Sequence, residues 1–303
     1  MMSEKPFDNK ALKDALAATS QAVERLMDPL LGVPSGPEAK VVEAMRYSFF
    51  SGGKRLRPFL VLASSELYGV DRKQALRVAA VVECVHCYSL IHDDLPAMDD
   101  DDLRRGKPTV HKAYDEATAI LAGDALMTMA FELLADEASH PDPNIRLLLI
   151  KKLARASGHH GMVGGQMIDL SASDHDLGEA EIHRLQQMKT GALISFSVEA
   201  GAILGHASKK AMSSMQGYAR DLGLAFQIAD DLLDVEGDAA EVGKAINKDA
   251  SAGKATLVGI MGVERARNQA EILANQAIEH LNQFDEKAAL LRAVAHFAIF
   301  RRT

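Results

Sequence analysis

Six aspartates lie within ten residues of this chain, between Asp93 and Asp102. Like charges at such short separation repel one another strongly unless cations bridge them. Magnesium prefers oxygen ligands, keeps several of its waters, and binds through one or two carboxylates together with substrate phosphates. The run therefore predicts a highly charged substrate that is held through metal ions, provided that its neighbours place it in a site rather than on open surface.

The segment before this run, from Ala79 to Ile91, is apolar on nearly every side of a helical projection. A helix that is apolar all round is buried in the core of a protein. The carboxylates are thus concentrated at the end of a core helix. Pro96 excludes a regular helix through the run and turns Leu95 away from helical geometry, so we expect Asp93 and Asp99 to converge.

A second acidic cluster follows in the apolar helical pattern between Phe226 and Asp234. Asp230 and Asp234 are four residues apart, which advances a helix by about 400° and roughly 6 Å along its axis. Their carboxylates therefore stack one turn apart on the same face. Two such groups are well placed to share ions, so this helix is the second predicted half of a metal site.

A glycine turn with three cations, from Ser51 to Pro58, opens another predicted helix. Pro58 is tolerated in the first turn of that helix. A helix N-terminus and arginine side chains both suit phosphate oxygens, so the turn predicts an anion site. It is not a P-loop, because the spacing G-x-x-x-x-G-K-[ST] is missing. Without the aspartate clusters, an exposed basic turn would be the better interpretation.

Composition favours one helical domain over residues 1–303. No linker rich in proline, glycine or serine divides the chain, and no proline follows Pro143, which favours long helices in the second half. Sustained alternation with period two is absent. Helical patterns run from Asn9 to Leu31, from Pro37 to Phe50, from Val110 to Ala138 and again after Pro143. We therefore expect an all-α fold with about ten helices or more.

Charge and cysteine content exclude several classes of protein. The net charge of −8 argues against a general nucleic-acid binder, which needs a basic face. Cys84 and Cys87 lie inside the predicted buried helix, and no second cysteine pair completes a zinc site. We interpret them as core residues. With no signal peptide and no apolar run of about 18 residues found, the sequence predicts a cytoplasmic protein without a membrane span.

The pair of motifs, DDxxxxD at Asp93–Asp99 and DDxxD at Asp230–Asp234, resembles the trans-prenyltransferase (polyprenyl synthase) family. The match to the family's bacterial-type farnesyl diphosphate synthases is close, and it extends from about Ser51 to Thr256. The resemblance implies the isoprenoid synthase fold, a single-domain helical bundle around a deep central cavity with the two motifs facing each other across its mouth. It also implies a homodimer and three magnesium ions in each active site.

The resemblance assigns roles to individual residues. Six aspartates would bind the metal ions: Asp93, Asp94, Asp99, Asp230, Asp231 and Asp234. Four residues would bind isopentenyl diphosphate: Lys54, Arg57, His86 and Arg105. Arg104 and Lys189 would contact the allylic diphosphate, and Lys244 and Lys254 would close on diphosphate from a loop between 236 and 255. The stretch Gly161–Asp169 resembles the family's glycine-rich G-G-Q-x-x-D, where small residues permit close helix approach.

Simpler interpretations of the same residues remain open on the sequence alone. A buried histidine such as His86 is usually structural, although it lies seven residues before Asp93 on nearly the same helix face. Arg104 and Arg105 would serve equally well to neutralise the aspartates at 100–102. Lys189 would be an ordinary surface lysine.

The implied reaction is the magnesium-dependent, head-to-tail condensation of isopentenyl diphosphate with dimethylallyl and then geranyl diphosphate. Fixed dipoles at Lys189, Thr190 and Gln227 would stabilise the allylic cation, and the released diphosphate would accept the final proton. In the family that this chain resembles, product length depends on what fills the cavity below the first aspartate motif. Tyr88 and Ser89 lie five and four residues before Asp93. The resemblance to the farnesyl-making bacterial members, which have an aromatic at the fifth position, therefore implies that these two residues form the floor that limits the product to C15.

Other activities are weaker interpretations of this sequence. Geranyl and geranylgeranyl diphosphate synthases of the same family stay open as alternatives. A noncatalytic partner subunit has no need of two complete aspartate clusters. A terpene cyclase has no use for a second, cationic diphosphate site.

Overall fold

Helices make up nearly all of the regular structure in the computed structural model, which describes residues 9–172, 177–236 and 257–300. The first seven are α1 (Asn9–Leu31), α2 (Ala39–Phe49), α3 (Leu56–Glu66), α4 (Arg72–Asp93), α5 (Val110–Ala113), α6 (Glu116–Ala135) and α7 (Pro143–Ser157). The others are α8 (Met162–Ser171), α9 (Glu179–Gln186), α10 (Ala192–Leu204), α11 (Lys209–Glu236), α12 (Leu257–Met261), α13 (Val263–His280) and α14 (Ala289–Phe300). A π-helical turn at Gln187–Gly191 joins α9 to α10, and a 3₁₀ helix at Asn282–Ala288 precedes α14.

The predicted all-α fold class is confirmed. The only strands among the described residues are β1 (Leu103–Arg104) and β2 (Lys107–Pro108), a two-residue antiparallel hairpin inside the acidic loop. Tyr47 on α2 supports this hairpin by donating a hydrogen bond from its hydroxyl to the Pro108 carbonyl at 2.7 Å.

Helix α4 is the central element, as its sequence predicts. Every residue from Val78 to Val85 is 0 or 1% exposed, so this stretch is enclosed on all sides. Asp71 caps its start by accepting hydrogen bonds from the backbone amides of Lys73 and Gln74 at 2.9 and 3.2 Å. The core position of α4 carries its last residue, Asp93, to the edge of the cavity described below.

Burial also settles the interpretation of the two cysteines. Cys84 and Cys87 are both free and buried on α4. Burial raises the pKa of Cys84 well above its usual value, and it raises the pKa of Cys87 to about 12. Both side chains are therefore protonated, unreactive core groups at neutral pH.

The predicted continuous helix from Val110 to Ala138 is wrong in one respect, because the chain breaks after α5 and restarts as α6. Asp115 has an extended backbone, with φ −163° and ψ 169°. Its carboxylate accepts hydrogen bonds from the Thr118 amide at 2.7 Å and the Thr118 hydroxyl at 2.9 Å. An aspartate N-cap competes well with helix continuation, so Asp115 starts a new helix instead of extending the old one.

Three hydrophobic clusters hold the helices together. The largest surrounds α4 with apolar side chains from α1, α2, α6, α7 and α10. The second lies between α3, α10, α11 and α14, and the third packs α9, α12 and α13 against the later part of α11. Helices α4 and α11 thus lie in different clusters, and each carries one of the aspartate motifs at its C-terminal end.

Two core helices are longer and more apolar than the sequence analysis recognised. By length and composition α4 and α6 are each sufficient to cross a membrane. Their most apolar windows are 67% and 44% buried inside the fold, and core helices of soluble proteins commonly pass the same test. The expectation that no apolar run of about 18 residues exists is therefore corrected, and two such helices are only weak evidence for a membrane span.

Candidate active site

A cavity of about 480 Å³ lies between the C-terminal half of α4, helix α8, the π-helical turn and the start of α10. Its polar lining comes from Arg57, His86, Ser89, His92, Asp93, Gln166, Lys189 and Thr190. Its apolar lining, with one tyrosine ring, comes from Tyr88, Leu90, Met98, Met162, Val163, Met167, Leu170 and Leu193. A volume in the range of small-molecule sites and a mostly apolar wall suit a ligand with a charged head and a hydrocarbon tail.

A smaller cavity of about 120 Å³ adjoins the first and shares Arg57 and His86 with it. Lys54 and Arg105 also line it, so the four residues predicted to bind isopentenyl diphosphate are brought together. Its apolar lining comes from α1, α3, α11 and α14 through Leu16, Leu56, Phe226 and Phe297. This cavity has the chemistry of an anion site with room for a short apolar group.

Burial shapes the protonation of the residues that the two cavities share. It lowers the pKa of His86 well below its usual value, and the positive charges of Arg57 and Arg105 lower it further. His86 is therefore neutral at physiological pH. Burial also lowers the pKa of Arg57, although Glu83 and Asp230 act in the opposite direction. The electrostatic effect of Asp230 shows that the second aspartate motif acts on the same cationic wall.

The first aspartate motif folds back onto the end of α4. The Asp99 amide donates a hydrogen bond to the Asp93 carbonyl at 2.9 Å, so the two residues converge as their spacing with Pro96 predicts. The Asp93 carboxylate accepts a hydrogen bond from the side-chain amide of Gln166 on α8. The motif therefore faces α8 across the cavity.

Asp94 and Arg104 form an ion pair within this loop. The Asp94 carboxylate is 3% exposed and accepts bonds from two nitrogens of Arg104 at 2.5 and 2.6 Å. Burial raises the pKa of Asp94, whereas Arg104 acts to lower it. The Asp94 carboxylate is thus held by a cation in this structure, and it orients Arg104.

The two arginines after the acidic run point in different directions. Arg104 contacts Asp94 and lies 3.4 Å from Asp101, whereas Arg105 donates to the Gly52 carbonyl in the glycine turn. Arg105 thus joins the smaller cavity and Arg104 stays with the metal motif. Asp100 and Asp102 face Lys112 at 4.0 and 2.9 Å on the exposed side of the loop.

The second aspartate motif lies in the last turns of α11. Asp231 and Asp234 are 4% and 8% exposed, whereas Asp230 is only half-buried. Asp231 accepts hydrogen bonds from the side-chain amides of Gln186 at 3.1 Å and Gln227 at 2.9 Å. Gln227 is thus placed beside the second motif and does not line the large cavity.

The π-helical turn brings Lys189 and Thr190 into the lining of the large cavity. Helix α8 approaches it closely at Gly165, where a β-carbon would lie 2.3 Å from the Lys189 backbone nitrogen. Close approach is what the G-G-Q-x-x-D stretch predicts. The Lys189 ammonium lies 2.6 Å from a carboxylate oxygen of Asp169.

Sequence reasoning missed three side chains of the site. Gln166 was placed only in a packing motif, yet it contacts Asp93; Asp169 contacts Lys189, and Gln186 contacts Asp231. The G-G-Q-x-x-D motif contained the first two as a signal, because polar groups beside buried glycines need partners. Nothing in the sequence marks Gln186 or the π-helical turn, although such turns frequently occur at functional sites.

Tyr88 and Ser89 both line the large cavity. The Tyr88 ring is 5% exposed and packs edge-to-face on His92, with 5.7 Å between the ring centroids. The His92 imidazole also lies 3.1 Å from the Ile120 carbonyl on α6. Gly123 makes room for it, since a β-carbon there would lie 2.2 Å from the His92 Nε2 atom. This wall of the cavity therefore consists of two rings in edge-to-face contact, packed against α6.

Lys244 and Lys254, with the predicted loop that carries them, lie outside the described residues. The same holds for Arg301 and Arg302, to which the sequence assigns no role.

The chain is similar in sequence and in structure to known proteins. Residues 38–295 match the family model described as polyprenyl synthetase. The chain is 45% identical over 298 residues to a farnesyl diphosphate synthase of Escherichia coli, covering 96% of this chain and 97% of that protein. It is 44% identical over 270 residues to a geranylgeranyl diphosphate synthase of Cyanophora paradoxa, covering 89% and 90%. A solved structure of a FPP/GFPP synthase from Zymomonas mobilis is 52% identical with a TM-score of 0.89, covering 95% of this chain and 99% of that one.

Proposed function

Because this chain belongs to the polyprenyl synthetase family and is a short-chain prenyltransferase, we propose that it is a farnesyl diphosphate synthase. It condenses isopentenyl diphosphate head-to-tail with dimethylallyl diphosphate and then with geranyl diphosphate. The observation that carries this proposal is the pair of adjoining cavities, one small and cationic and the other larger and mostly apolar, which share Arg57 and His86.

The smaller cavity binds isopentenyl diphosphate. Lys54, Arg57 and Arg105 supply positive charge, and the neutral His86 supplies a hydrogen-bonding nitrogen. Diphosphate oxygens suit bidentate arginines, and the five-carbon group fits beside Phe226 and Phe297. Arg57 and His86 line both cavities, so the two substrates meet beside these residues. The double bond of isopentenyl diphosphate then faces the allylic carbon.

The large cavity binds the allylic substrate, with its diphosphate between the two aspartate motifs. Asp93 lines this cavity, and the Asp99 amide folds back onto the Asp93 carbonyl at 2.9 Å. Such a carboxylate pair fits magnesium, which takes one or two carboxylates and completes its shell with substrate phosphates and water. Asp93, Asp99 and Asp230 would hold the ions first, with Asp94, Asp231 and Asp234 behind them. Three magnesium ions would neutralise the leaving diphosphate and so promote ionisation.

The chain's own residues protect and direct the reaction after the allylic bond breaks. The carbonyl of Lys189 and the Thr190 hydroxyl lie in the wall of the large cavity as fixed dipoles for the cation, and preorganised dipoles of this kind stabilise developing charge effectively. Gln227, expected to share this role, lies outside that wall and donates to Asp231. Lys189, held by Asp169, and Arg104, held by Asp94, keep the leaving diphosphate in place. The double bond of isopentenyl diphosphate attacks the allylic carbon, and the resulting cation loses a proton from C2 to form the new allylic double bond. The released diphosphate accepts that proton, so His86 is not required as a base.

Product length follows from the wall formed by Tyr88 and His92. A tail that grows down the large cavity meets these two rings, and we assign the C15 product to this stop. Geranylgeranyl diphosphate synthase is the second candidate, favoured by the relative from Cyanophora paradoxa. Geranyl diphosphate synthase and a noncatalytic partner subunit are the weaker alternatives.

The active form is proposed to be a homodimer of one catalytic domain spanning residues 1–303, acting in the cytoplasm. Helices α6 and α7 support a dimer because large apolar side chains stay exposed on them: Ile120, Leu121, Leu147 and Leu148. Exposed apolar groups concentrated on neighbouring helices are typical of interaction surfaces.

Incubation of the purified chain with isopentenyl and dimethylallyl diphosphates tests the proposed activity. We expect a C15 alcohol after dephosphorylation and chromatography, and no product when magnesium is removed by chelation. A C20 product would support the second candidate. No product at saturating substrates and magnesium would contradict the enzyme proposal and leave the noncatalytic subunit.

A further inference from the structure

Arg55 is a buried cation that the proposed mechanism does not use. It stands in the glycine turn between Lys54 and Arg57, two residues that line the smaller cavity. Its side chain is 0% exposed, so it cannot extend into solvent to meet an incoming substrate. Its backbone is left-handed, with φ 48° and ψ 38°, at the residue that precedes α3. A non-glycine residue in this conformation is held there by its surroundings.

Those surroundings bind the Arg55 guanidinium on several sides. One terminal nitrogen donates to the Glu83 carboxylate on α4, and the other donates to the Phe49 carbonyl at the end of α2. Glu24 on α1 lies 3.5 Å away, and the Phe49 ring lies 5.2 Å below the guanidinium. One side chain thus ties the glycine turn to three separate helices.

Glu83 is equally buried, at 1% exposure, and it lies in the wall of the smaller cavity. Among the described residues that line this cavity it is the single carboxylate, whereas Lys54, Arg55, Arg57 and Arg105 are cations. A buried carboxylate beneath several cations offsets their mutual repulsion before any diphosphate arrives. It thus permits a dense cationic wall in the unliganded protein.

We infer that Arg55 and Glu83 form the positioning pair of the isopentenyl diphosphate pocket. The pair fixes the turn so that Lys54 and Arg57, on either side of Arg55, present their charges to the cavity. The Arg55 guanidinium lies in the cavity wall, where Glu83 and the Phe49 carbonyl already hold it. It contributes to substrate binding through its neighbours, because its own donors are engaged by the protein. This inference rests on the proposed function, since it assumes that the smaller cavity takes isopentenyl diphosphate.

The double variant Arg55→Met/Glu83→Leu tests the inference, because replacing both members of a buried ion pair by apolar groups often preserves stability. We expect the KM for isopentenyl diphosphate to rise by about tenfold or more, as for the loss of one charged hydrogen bond. The KM for the allylic substrate and the kcat at saturation should stay within about twofold of the wild-type values. A twofold change corresponds to much less free energy than the loss of one charged hydrogen bond. Calorimetric titration with isopentenyl diphosphate in magnesium-free buffer should show the same weakening without turnover.

A matched control is the double variant Lys152→Met/Glu199→Leu. It removes an ion pair of 2.7 Å between α7 and α10 that lines neither cavity. This control should leave the KM for isopentenyl diphosphate unchanged. If the first double variant has a lowered melting temperature, Glu83→Asp provides a second test, since it keeps the charge and withdraws the carboxylate by one methylene. It should also raise this KM selectively.

The outcomes separate this inference from the proposed function. An unchanged KM for isopentenyl diphosphate in folded Arg55→Met/Glu83→Leu and in Glu83→Asp would overturn the positioning role while leaving the enzyme assignment intact. Equal weakening of both substrates would also overturn it. A wild-type chain that makes no prenyl product and does not bind isopentenyl diphosphate would contradict the proposed function itself.

Discussion

At the scale of single residues, the aspartates of the two motifs divide into half-buried and deeply buried groups. Asp93 lines the large cavity and contacts Gln166, and Asp230 is half-buried beside the cationic wall. Asp94 and Asp231 are buried and accept hydrogen bonds from Arg104 and from two glutamines. Groups that face the cavity are the natural ligands of an incoming metal. Those behind them orient the arginine and hold the helix ends.

Replacing Asp93 by alanine should lower kcat by about a hundredfold or more, because metal ligands act chiefly on the transition state. Circular dichroism should show unchanged helix content, and steady-state kinetics measures the loss. The control is Asp102→Ala, which removes an exposed carboxylate that pairs only with Lys112 among the contacts described above. If both variants turned over normally at saturating magnesium, Asp93 would have no part in the reaction.

Substitutions in the two groups of cationic residues, one at the smaller cavity and one at the first aspartate motif, should each affect the KM of a different substrate. Lys54 lines the smaller cavity and not the large one, so Lys54→Ala should mainly raise the KM for isopentenyl diphosphate. Arg104 is held at the metal motif, so Arg104→Ala should mainly raise the KM for the allylic substrate. Substrate titrations give both constants, and Lys107→Ala, exposed on the same hairpin as Arg104, is the control. Equal effects on both substrates from both variants would contradict the two-pocket assignment.

At the scale of elements, the cavity wall is a product of how α4 packs on α6. Tyr88→Ala should remove the ring that stops the tail and lengthen the product to C20 or more, whereas Ser89→Phe should shorten it to C10. Gly123→Ala should also shorten it, because the added methyl displaces the His92 ring toward the cavity. Chromatography of dephosphorylated products reads out each change.

The double variant His92→Ala/Gly123→Ala is the control for that steric argument. It removes the ring that the new methyl would displace, so the product should return to C15 or longer. A Gly123→Ala product that stays at C15, or a Tyr88→Ala variant that still stops there, would show that the floor lies elsewhere.

Helix α6 begins at Asp115, whose carboxylate caps the helix and contacts Lys40. The hydrogen bond from Lys40 and those from Thr118 lower the pKa of Asp115 to about 2. A depressed carboxyl pKa gives stability that is present above the unfolded-state pKa of about 3.9 and is lost as the pH falls toward the folded value. Asp115→Ala should therefore lower the melting temperature at pH 7.

Thermal unfolding followed from pH 7 to pH 2 checks this prediction. The difference between wild type and Asp115→Ala should shrink below about pH 4 and nearly vanish near pH 2. Glu116→Ala, an exposed acid one residue later, should have a much smaller effect. A difference that is independent of pH would show that Asp115 acts through packing and not through its charge.

Much of the fold was predictable from local pattern, and the exceptions have physical reasons. The all-round apolar stretch of α4 and the positions of α1 and α2 followed from period and caps, because those signals are local. The break at Asp115 was missed because the segments before and after it both have a helical pattern of apolar residues, which hides the capping signal of this aspartate. The π-helical turn was missed because no residue type marks it.

Most residues of the site were predictable from the sequence, but the contacts between separate helices were not. Asp93, Asp99 and the residues Lys54, Arg57, His86 and Arg105 are brought together as the motifs suggested. The contacts of Gln166 with Asp93 and of Gln186 with Asp231 depend on how separate helices dock, which spacing along one helix cannot show. The roles of all these residues stay predictions until variants are assayed.

At the scale of the whole molecule, three core clusters position two acidic helix ends around two adjoining cavities. The first cluster fixes α4 with Asp93, and the other two fix α11 with Asp230. Arg57 and His86 line both cavities, so the proposed substrates would meet there. The central claim is that each cavity takes one diphosphate.

A crystal structure with isopentenyl diphosphate, a nonhydrolysable thiolo analogue of geranyl diphosphate and magnesium tests that claim most directly. The isopentenyl diphosphate is expected against Lys54, Arg57, His86 and Arg105, without a metal ion. The allylic diphosphate is expected to be bound through magnesium to Asp93 and Asp230, with its tail directed toward Tyr88. Isopentenyl diphosphate held by the aspartates, or an allylic tail outside the large cavity, would contradict the two-cavity arrangement.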